Sequence, residues 1–283
     1  MARLRDLEGA TGADMAAIHA DRVSLPGQAL VGLMRRVEPL DAGARAALAV
    51  LLAWDGAMDA DSAGATIFAA FRERLLRDLL SPLLGPLAPD AFATAPGAPV
   101  THMARLRGRL ADWLREDDRT LLAPGDDWAA RMAHALAGAV AALRDRLGPD
   151  PRGWAWGRLH VTRPCHPLSA AFPDAAPLLD PPSLPLGGDG DTVQAAAYVP
   201  AAGFQVTLTS VARYVFDLGD WDRSGWIVPL GTSGHPGSLH YADQAADWAA
   251  LRLRPMRYAW DRVAAEAETH QRLVPGGTGY PAG

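Results

Sequence analysis

Cysteine is nearly absent from this sequence. Cys165 is the one instance in 283 residues, so no disulfide can form within the chain. A chain of this length can bury a core that needs no such staple, so the shortage does not exclude export. An excess of basic residues is missing too. Lys and Arg total 27 against 32 Asp and Glu, a formal charge of −5, and no basic stripe is visible, so nucleic acid is not expected as a partner. No window approaches the ~20 apolar residues needed to cross a bilayer, so no membrane partner is expected. No apolar run of the signal-peptide kind follows Met1-Ala2-Arg3-Leu4-Arg5. As written, the sequence leads us to expect a cytoplasmic protein, or a periplasmic one if these residues belong to a longer exported precursor. What is present in quantity is apolar: 49% of the residues, enough for a substantial core in one or two domains.

Residues 1–150 read as helix. Thr11 with Asp14 suits a helix start, and Pro26 suits a first turn. Leu30, Leu33, Met34 and Val37 recur at helical spacing, and Asp41 can cap a helix holding Leu48, Leu51 and Leu52. The segment Trp54-Asp55-Gly56-Ala57-Met58-Asp59-Ala60-Asp61-Ser62 breaks the pattern. Its aspartates do not match an EF-hand loop, so we read a glycine turn followed by an Asp61 or Ser62 cap. Ile67, Phe71, Leu75 and Leu79 then follow at i+4 steps. Five prolines between 82 and 99 predict an irregular connector. Thr101 can start the next helix, with Val100, Met103, Leu106, Leu110 and Trp113 on one face and Arg105, Arg107, Arg109 and Arg115 on a solvated basic face. Asp126 or Asp127 caps a last long helix through Met132, Leu136, Val140 and Leu143, ended by Gly148-Pro149.

The composition then changes. Arg158–His166 reads as a strand, and 167–191 as a long ordered loop. Residues 192–199, 204–217 and 224–230 are β-prone, and Ala242–Leu253 reads as a short helix. The expected fold class is α+β, with a helical region over 1–150, a mostly antiparallel β-rich region over 151–260 and a tail over 261–283 whose last residues read as disordered. We expect the two regions to form one interdependent unit.

The candidate functional residues lie between Gly187 and Asp243. Asp189 and Asp191 sit in a glycine-rich turn, where short carboxylates bond their own backbone, and Thr192 follows. Arg213 and Asp217 share a face if extended, so they read as a buried ion pair, either structural or placed behind a site. Ser233, Ser238, His235, His240 and Asp243 share a loop of small residues. No Gly-x-Ser-x-Gly elbow surrounds the serines, and one loop seldom supplies a whole zinc site, so hydrogen bonds from His240 to nearby backbone are expected and a metal is not. On a strand, His160 and His166 lie too far apart to share a metal.

Several separated motifs resemble the penicillin acylase (penicillin amidase) family. They are Trp156-Gly157-Arg158-Leu159-His160, His166-Pro167-Leu168, Gly188-Asp189-Gly190-Asp191-Thr192-Val193, Arg213-Tyr214-Val215-Phe216-Asp217-Leu218, Ser233-Gly234-His235-Pro236 and His240-Tyr241-Ala242-Asp243. The first half is similar at Asp14-Met15, at Val23-Ser24-Leu25 and at Trp54-Asp55-Gly56, so the likeness runs to about Met256. Gln194, Thr232 and Leu239 depart from the pattern. The resemblance implies an N-terminal-nucleophile hydrolase, made as a zymogen, with a four-layer αββα sandwich. Such an enzyme cleaves the linear amide of an N-acyl compound: a β-lactam, an acyl homoserine lactone or similar, in the first case serving antibiotic biosynthesis. It attacks with a serine whose own α-amine is the base.

Met1 followed by Ala2 offers no such serine, and a Gly-Ser-Asn-Asn cleavage motif is absent. The resemblance therefore implies the C-terminal portion of the large (beta) subunit. The nucleophile, the oxyanion asparagine and the calcium site would lie in sequence not present here. No catalytic residue and no cofactor are then expected in this chain, and Asp189, Asp191, Thr192, Arg213, Asp217, Ser233, His235 and His240 would form a supporting shell. The expected partners are the N-terminal portion of the acylase, from the same precursor or a separate chain, and a small N-acyl substrate. Two alternatives stay open: a non-catalytic subunit completing a separately encoded nucleophile-bearing chain, and an acyl-ligand binding module using the 231–243 loop. An incomplete sandwich would leave apolar surface exposed near Val206, Leu208 and Ile227.

Overall fold

The computed structural model describes residues 2–93, 104–200 and 203–273. A single turn, α1 (Ala2–Arg5), precedes α2 (Gly12–His19), α3 (Leu25–Met34), α4 (Ala42–Leu52) and α5 (Ala63–Leu84). The helical half closes with α6 (Ala88–Phe92), α7 (Ala104–Arg115) and α8 (Trp128–Leu147). The expected caps form, and Ser24 adds one at the start that Pro26 marked. Thr11 and Asp14 make a reciprocal capping box, and the side chains of Ser24, Asp41, Ser62 and Asp127 accept backbone amides at the starts of α3, α4, α5 and α8. Each such cap contributes about 1 kcal/mol. Gly148 ends α8 at φ +96°, a conformation side chains avoid.

The central helix is α5, which packs along α8 and α4. Its Ile67, Phe71, Leu75 and Leu79 are buried in one core with Leu48 and Leu51 of α4 and Met132, Leu136, Val140 and Leu143 of α8. The expected connector from residue 82 is largely helical where it is described. Pro82 sits in the last turn of α5, while Pro86 and Pro89 occupy the first turns of a short 3-10 helix (Gly85–Leu87) and of α6. Proline at a first turn forfeits an amide that has no helical partner anyway, so these prolines start helices. The rest of that connector, Thr101 with its neighbours Val100 and Met103, and the last tail residues lie outside the described residues.

The β-rich half holds two small antiparallel sheets. One pairs β1 (Ala196–Tyr198) with β2 (Val206–Thr209); the other has the order β3 (Arg213–Val215), β4 (Gly225–Ile227), β5 (Arg254–Pro255). Before these strands come the short helix α9 (Ala176–Leu179) and several 3-10 turns; α10 (Ala245–Ala249) lies between β4 and β5, and α11 (Trp260–Ala265) follows. The fold is thus a mixture of helix and antiparallel sheet.

Two expectations about this half are corrected. Arg158–His166 is not a strand: a 3-10 turn spans Trp156–Arg158, and Val161 makes one isolated bridge to Pro185. Aromatic packing accounts for its first residues. Trp156 stacks on His160 with centroids 4.5 Å apart, whereas residues four apart in a strand are separated by about 13 Å. Val206 and Ile227 are not exposed either. With Leu186, Ala196 and Trp248 they form a second, smaller core, and only Leu208 remains uncovered.

His160 lies wholly inside. Its ring meets Tyr198 edge-on, and its Nδ1 donates to the Phe204 carbonyl at 2.7 Å, which fixes the neutral tautomer. Burial pushes its pKa down to about 4, against an ordinary 6.5. The unfolded imidazole therefore binds a proton over a range where the folded one does not, and His160 costs stability as pH falls from about 6.5 to about 4. The gap amounts to about 3 kcal/mol at the acid end. We predict that His160→Phe, which keeps the stack on Trp156, removes that slope: denaturant midpoints of the two proteins measured from pH 7 to pH 4 should converge or cross toward the acid end. Parallel curves would mean that His160 is already charged in the fold.

Candidate functional site

The turn at Gly187–Thr192 is built by local bonds. Gly188 sits at φ +84°, where an added Cβ would land on the Gln194 carbonyl. The Asp189 carboxylate accepts the Asp191 amide at 2.7 Å, and Thr192 Oγ1 accepts the Asp189 amide at 2.9 Å and donates to the Gln194 carbonyl at 2.8 Å. The Gly188 amide donates to the Met58 carbonyl and so pins the turn to the helical half, and the Trp156 indole N–H donates to the Gly188 carbonyl from within the β-rich half. Gln194, one of the departures from the family pattern, accepts a hydrogen bond from Arg22, whose guanidinium also pairs with Asp59 at 2.6 Å.

The turn does more than satisfy itself. Arg72 of α5, 1% exposed, reaches into it. Its Nη1 donates to Asp191 at 2.6 Å, one Nη2 contact is to Asp189 at 3.4 Å, and the other is to the Tyr198 hydroxyl at 3.1 Å. Tyr198, on β1, donates to Glu73 of α5 at 3.3 Å, and Glu73 forms an ion pair with Arg107 of α7 at 2.7 Å. The guanidinium groups also lie over rings, Arg72 over Phe68 and Arg107 over Tyr198. Three carboxylates, two guanidinium groups and a phenol thus form one cluster, buried except at Asp191, that joins α5, α7, β1 and the turn. Burial holds Glu73 and Asp189 above the usual carboxylate range, against the pull of Arg107 on the first and Arg72 on the second. Burial opposes the charge on Arg72, yet Tyr198, Asp189, Asp191 and Glu73 outweigh it and hold that pKa well above its ordinary value.

Asp189, Asp191 and Thr192 therefore come together as the sequence suggests, but as a turn clamped by Arg72. Arg107 is not solvated: it is buried, with Glu73 as its partner. The sequence reading missed Arg72, Glu73, Arg107 and Tyr198. A signal existed. Arg72 stands one helical turn from Phe68 and from Leu76, two fully buried positions, so a charge there breaks an apolar face.

The other expected pair does not form. Arg213 is buried with its guanidinium over the Trp248 ring at 4.4 Å, its Nη1 donates to the Trp248 carbonyl at 2.7 Å, and burial pulls its pKa down to about 10. Asp217 lies past the end of β3, where its carboxylate accepts the Gly219 amide and pairs with Arg223 at 2.9 Å. The strand ends before the fourth residue, so the two side chains do not share an interior. In the 231–243 loop the serines are used in turns: Ser233 Oγ accepts the His235 amide and Ser238 Oγ the His240 amide, both at 3.1 Å. The His240 ring contacts no backbone partner of the kind expected; it pairs with Glu268 at 3.0 Å and Asp243 at 3.5 Å, and both raise its pKa.

Among the described residues no group of three or more His, Cys, Asp or Glu is placed to hold a metal ion. The carboxylates that do gather, Glu73, Asp189 and Asp191, share arginine guanidinium groups and do not fit a calcium site. No helix among the described residues is long and apolar enough to cross a membrane.

The family model described as Penicillin amidase matches residues 1–265. The penicillin acylase 2 proenzyme of Pseudomonas sp. (strain SE83) is 44% identical over 271 residues, covering 93% of this chain and 33% of that protein. The acyl-homoserine lactone acylase QuiP of Pseudomonas putida is 32% identical over 254 residues, covering 86% of this chain and 30% of that protein. The chain thus spans about a third of the length of these relatives. Among solved structures, a thermostable penicillin G acylase from Alcaligenes faecalis aligns over 92% of this chain and 48% of its own, with a TM-score of 0.48 and 16% identity.

The buried cluster makes a testable demand. Arg72→Met leaves Asp189 buried beside Asp191 without its cation, which should cost about 3–5 kcal/mol. Arg223→Met, which breaks an exposed pair, should leave the urea midpoint nearly unchanged. Equal, small effects from both substitutions would reduce Asp189 to a residue of the turn alone.

Proposed function

The chain belongs to the penicillin amidase family, and we propose that it is one portion of an acylase that hydrolyses the linear amide bond of N-acyl compounds. The observation that carries this reading is the 44% identity, sustained over nearly the whole chain, to a penicillin acylase proenzyme of which only a third is covered. The relatives' names suggest the substrate class: a penicillin-type amide or an acyl homoserine lactone, in each case a linear amide next to an acyl chain.

In this reading the attacking group lies in the portion outside these residues, and the mechanism is that of an N-terminal nucleophile. A terminal serine hydroxyl attacks the amide carbon while its own α-amine, with an ordinary pKa of about 8, takes the proton. Hydrogen-bond donors around the developing oxyanion lower the barrier. The two serines of the 231–243 loop are consistent with this division of labour. Ser233 Oγ accepts the His235 amide and Ser238 Oγ the His240 amide, so both are used in turns. This chain would contribute rigidity. Arg72, Glu73 and Arg107 fix the Gly187–Thr192 turn and the end of β1 relative to α5, and Arg213 fixes β3 against α10. These residues are positioning residues, which hold the sheet that the nucleophile-bearing portion completes.

The test is release of a chromogenic amine from phenylacetyl and longer acyl substrates. The purified chain should give no turnover, and adding the remaining portion of the acylase should restore it. Turnover by the chain alone, abolished by Ser233→Ala or His240→Ala, would instead place an independent catalytic centre in the 231–243 loop.

A further inference from the structure

The apolar surface expected around β2 is largely covered, but another is not. In β3 the residues alternate. Arg213 and Val215 point inward, while Tyr214 is 44% exposed and Phe216, just past the strand, is 54% exposed. Their rings stack almost parallel, with centroids 5.8 Å apart at 5°. Phe216 meets Trp221 edge-on at 6.3 Å, and Trp221 meets Tyr258 at 5.9 Å. Four rings therefore run as a continuous ladder from β3, across the 3-10 turn Trp221–Arg223, to the segment after β5. Leu218, two residues beyond Phe216, and Trp260, two beyond Tyr258, are 78% and 85% exposed.

Single exposed apolar residues are ordinary, whereas a contiguous run of them marks an interaction site. Aromatic side chains are enriched at the centres of interfaces, with charged residues at the rim. Here Asp217 and Arg223 pair with each other beside the ladder. The rings are already stacked, so little side-chain entropy remains to be lost on docking. β3 is also the end strand of its sheet, and an end strand offers unpaired backbone groups to an incoming segment.

The occupant follows from length. The penicillin acylase 2 proenzyme is covered only to 33% by this chain, which leaves about two thirds of such a polypeptide to be accommodated. We infer that the aromatic ladder and the free edge of β3 form the surface on which the remaining portion of the acylase polypeptide docks, an inference that rests on the acylase reading above. The ladder would form the centre of that interface, and Leu208 of β2 lies outside it.

The experiment combines this chain with the remaining portion of the acylase from the same locus, expressed as a separate polypeptide. Affinity is measured by titration calorimetry and activity by amine release. Tyr214→Ser with Phe216→Ser should weaken association at least tenfold, with circular dichroism and urea midpoint unchanged because both side chains are exposed. Leu208→Ser should leave the affinity as it was. Hydrogen exchange at residues 213–216 should slow in the complex. Unaltered affinity of the Tyr214→Ser, Phe216→Ser protein overturns the docking surface and leaves the acylase reading intact. A complex that depends on the ladder but releases no amine has the opposite meaning: the surface stands and the acylase reading falls. Absence of any association, or a ladder that governs only self-association of this chain, overturns the inference.

Discussion

A buried guanidinium stands at the junction of the two halves of this protein, and the contacts around it depend on its charge. Arg72 sits at the middle of the longest helix, almost without access to solvent, and its partners Asp189, Asp191 and Tyr198 all come from the β-rich half. A cation in that position is tolerable only when carboxylates and a hydroxyl surround it, and the carboxylates are tolerable only because the cation is there. The constraint is mutual. The turn at Gly187–Thr192 must present its carboxylates toward α5, and β1 must end where the Tyr198 hydroxyl can reach both Arg72 and Glu73.

That constraint explains the small size of the sheets. Strands of two to four residues give little stability by themselves. They are fixed by what they carry: Tyr198 in the main core with Trp156 and the cluster, Arg213 clasped to Trp248, Val206 and Ile227 under the same tryptophan. Strands β1 to β4 are each anchored on the inner face by a contact with a distant element. The outer face of β3 has no such anchor, and there the aromatic rings stack on one another instead.

Family membership and the partial coverage of the relatives give the same picture from another side. On the proposed reading this chain is one portion of a larger enzyme, and its polar network need not contain the reacting groups. The clustered carboxylates here are committed to arginines, and the loop serines to backbone amides. Such groups fix geometry; a nucleophile has to be free to move its proton.

Much of the helical half was legible because its signals are local. A cap bonds an amide two or three residues away and an apolar stripe recurs within one or two turns, so Thr11, Asp41, Ser62 and Asp127, with Pro26 in a first turn, mark helix starts wherever the chain goes afterwards. The internal bonds of the Asp189–Thr192 turn and the approximate places of β1 to β4 were legible for the same reason, and the separated motifs carried the family. The tertiary structure decided everything whose partner lies far along the chain. Arg72 reaches Asp191 across 119 residues, and Arg213 reaches Trp248 across 35 rather than Asp217 across four. Trp156 closes on His160 and turns an expected strand into a coil of 3-10 geometry. Burial removes water as the alternative partner, so a charge or ring takes whichever complement the fold brings within reach, and sequence spacing does not reveal which one that is.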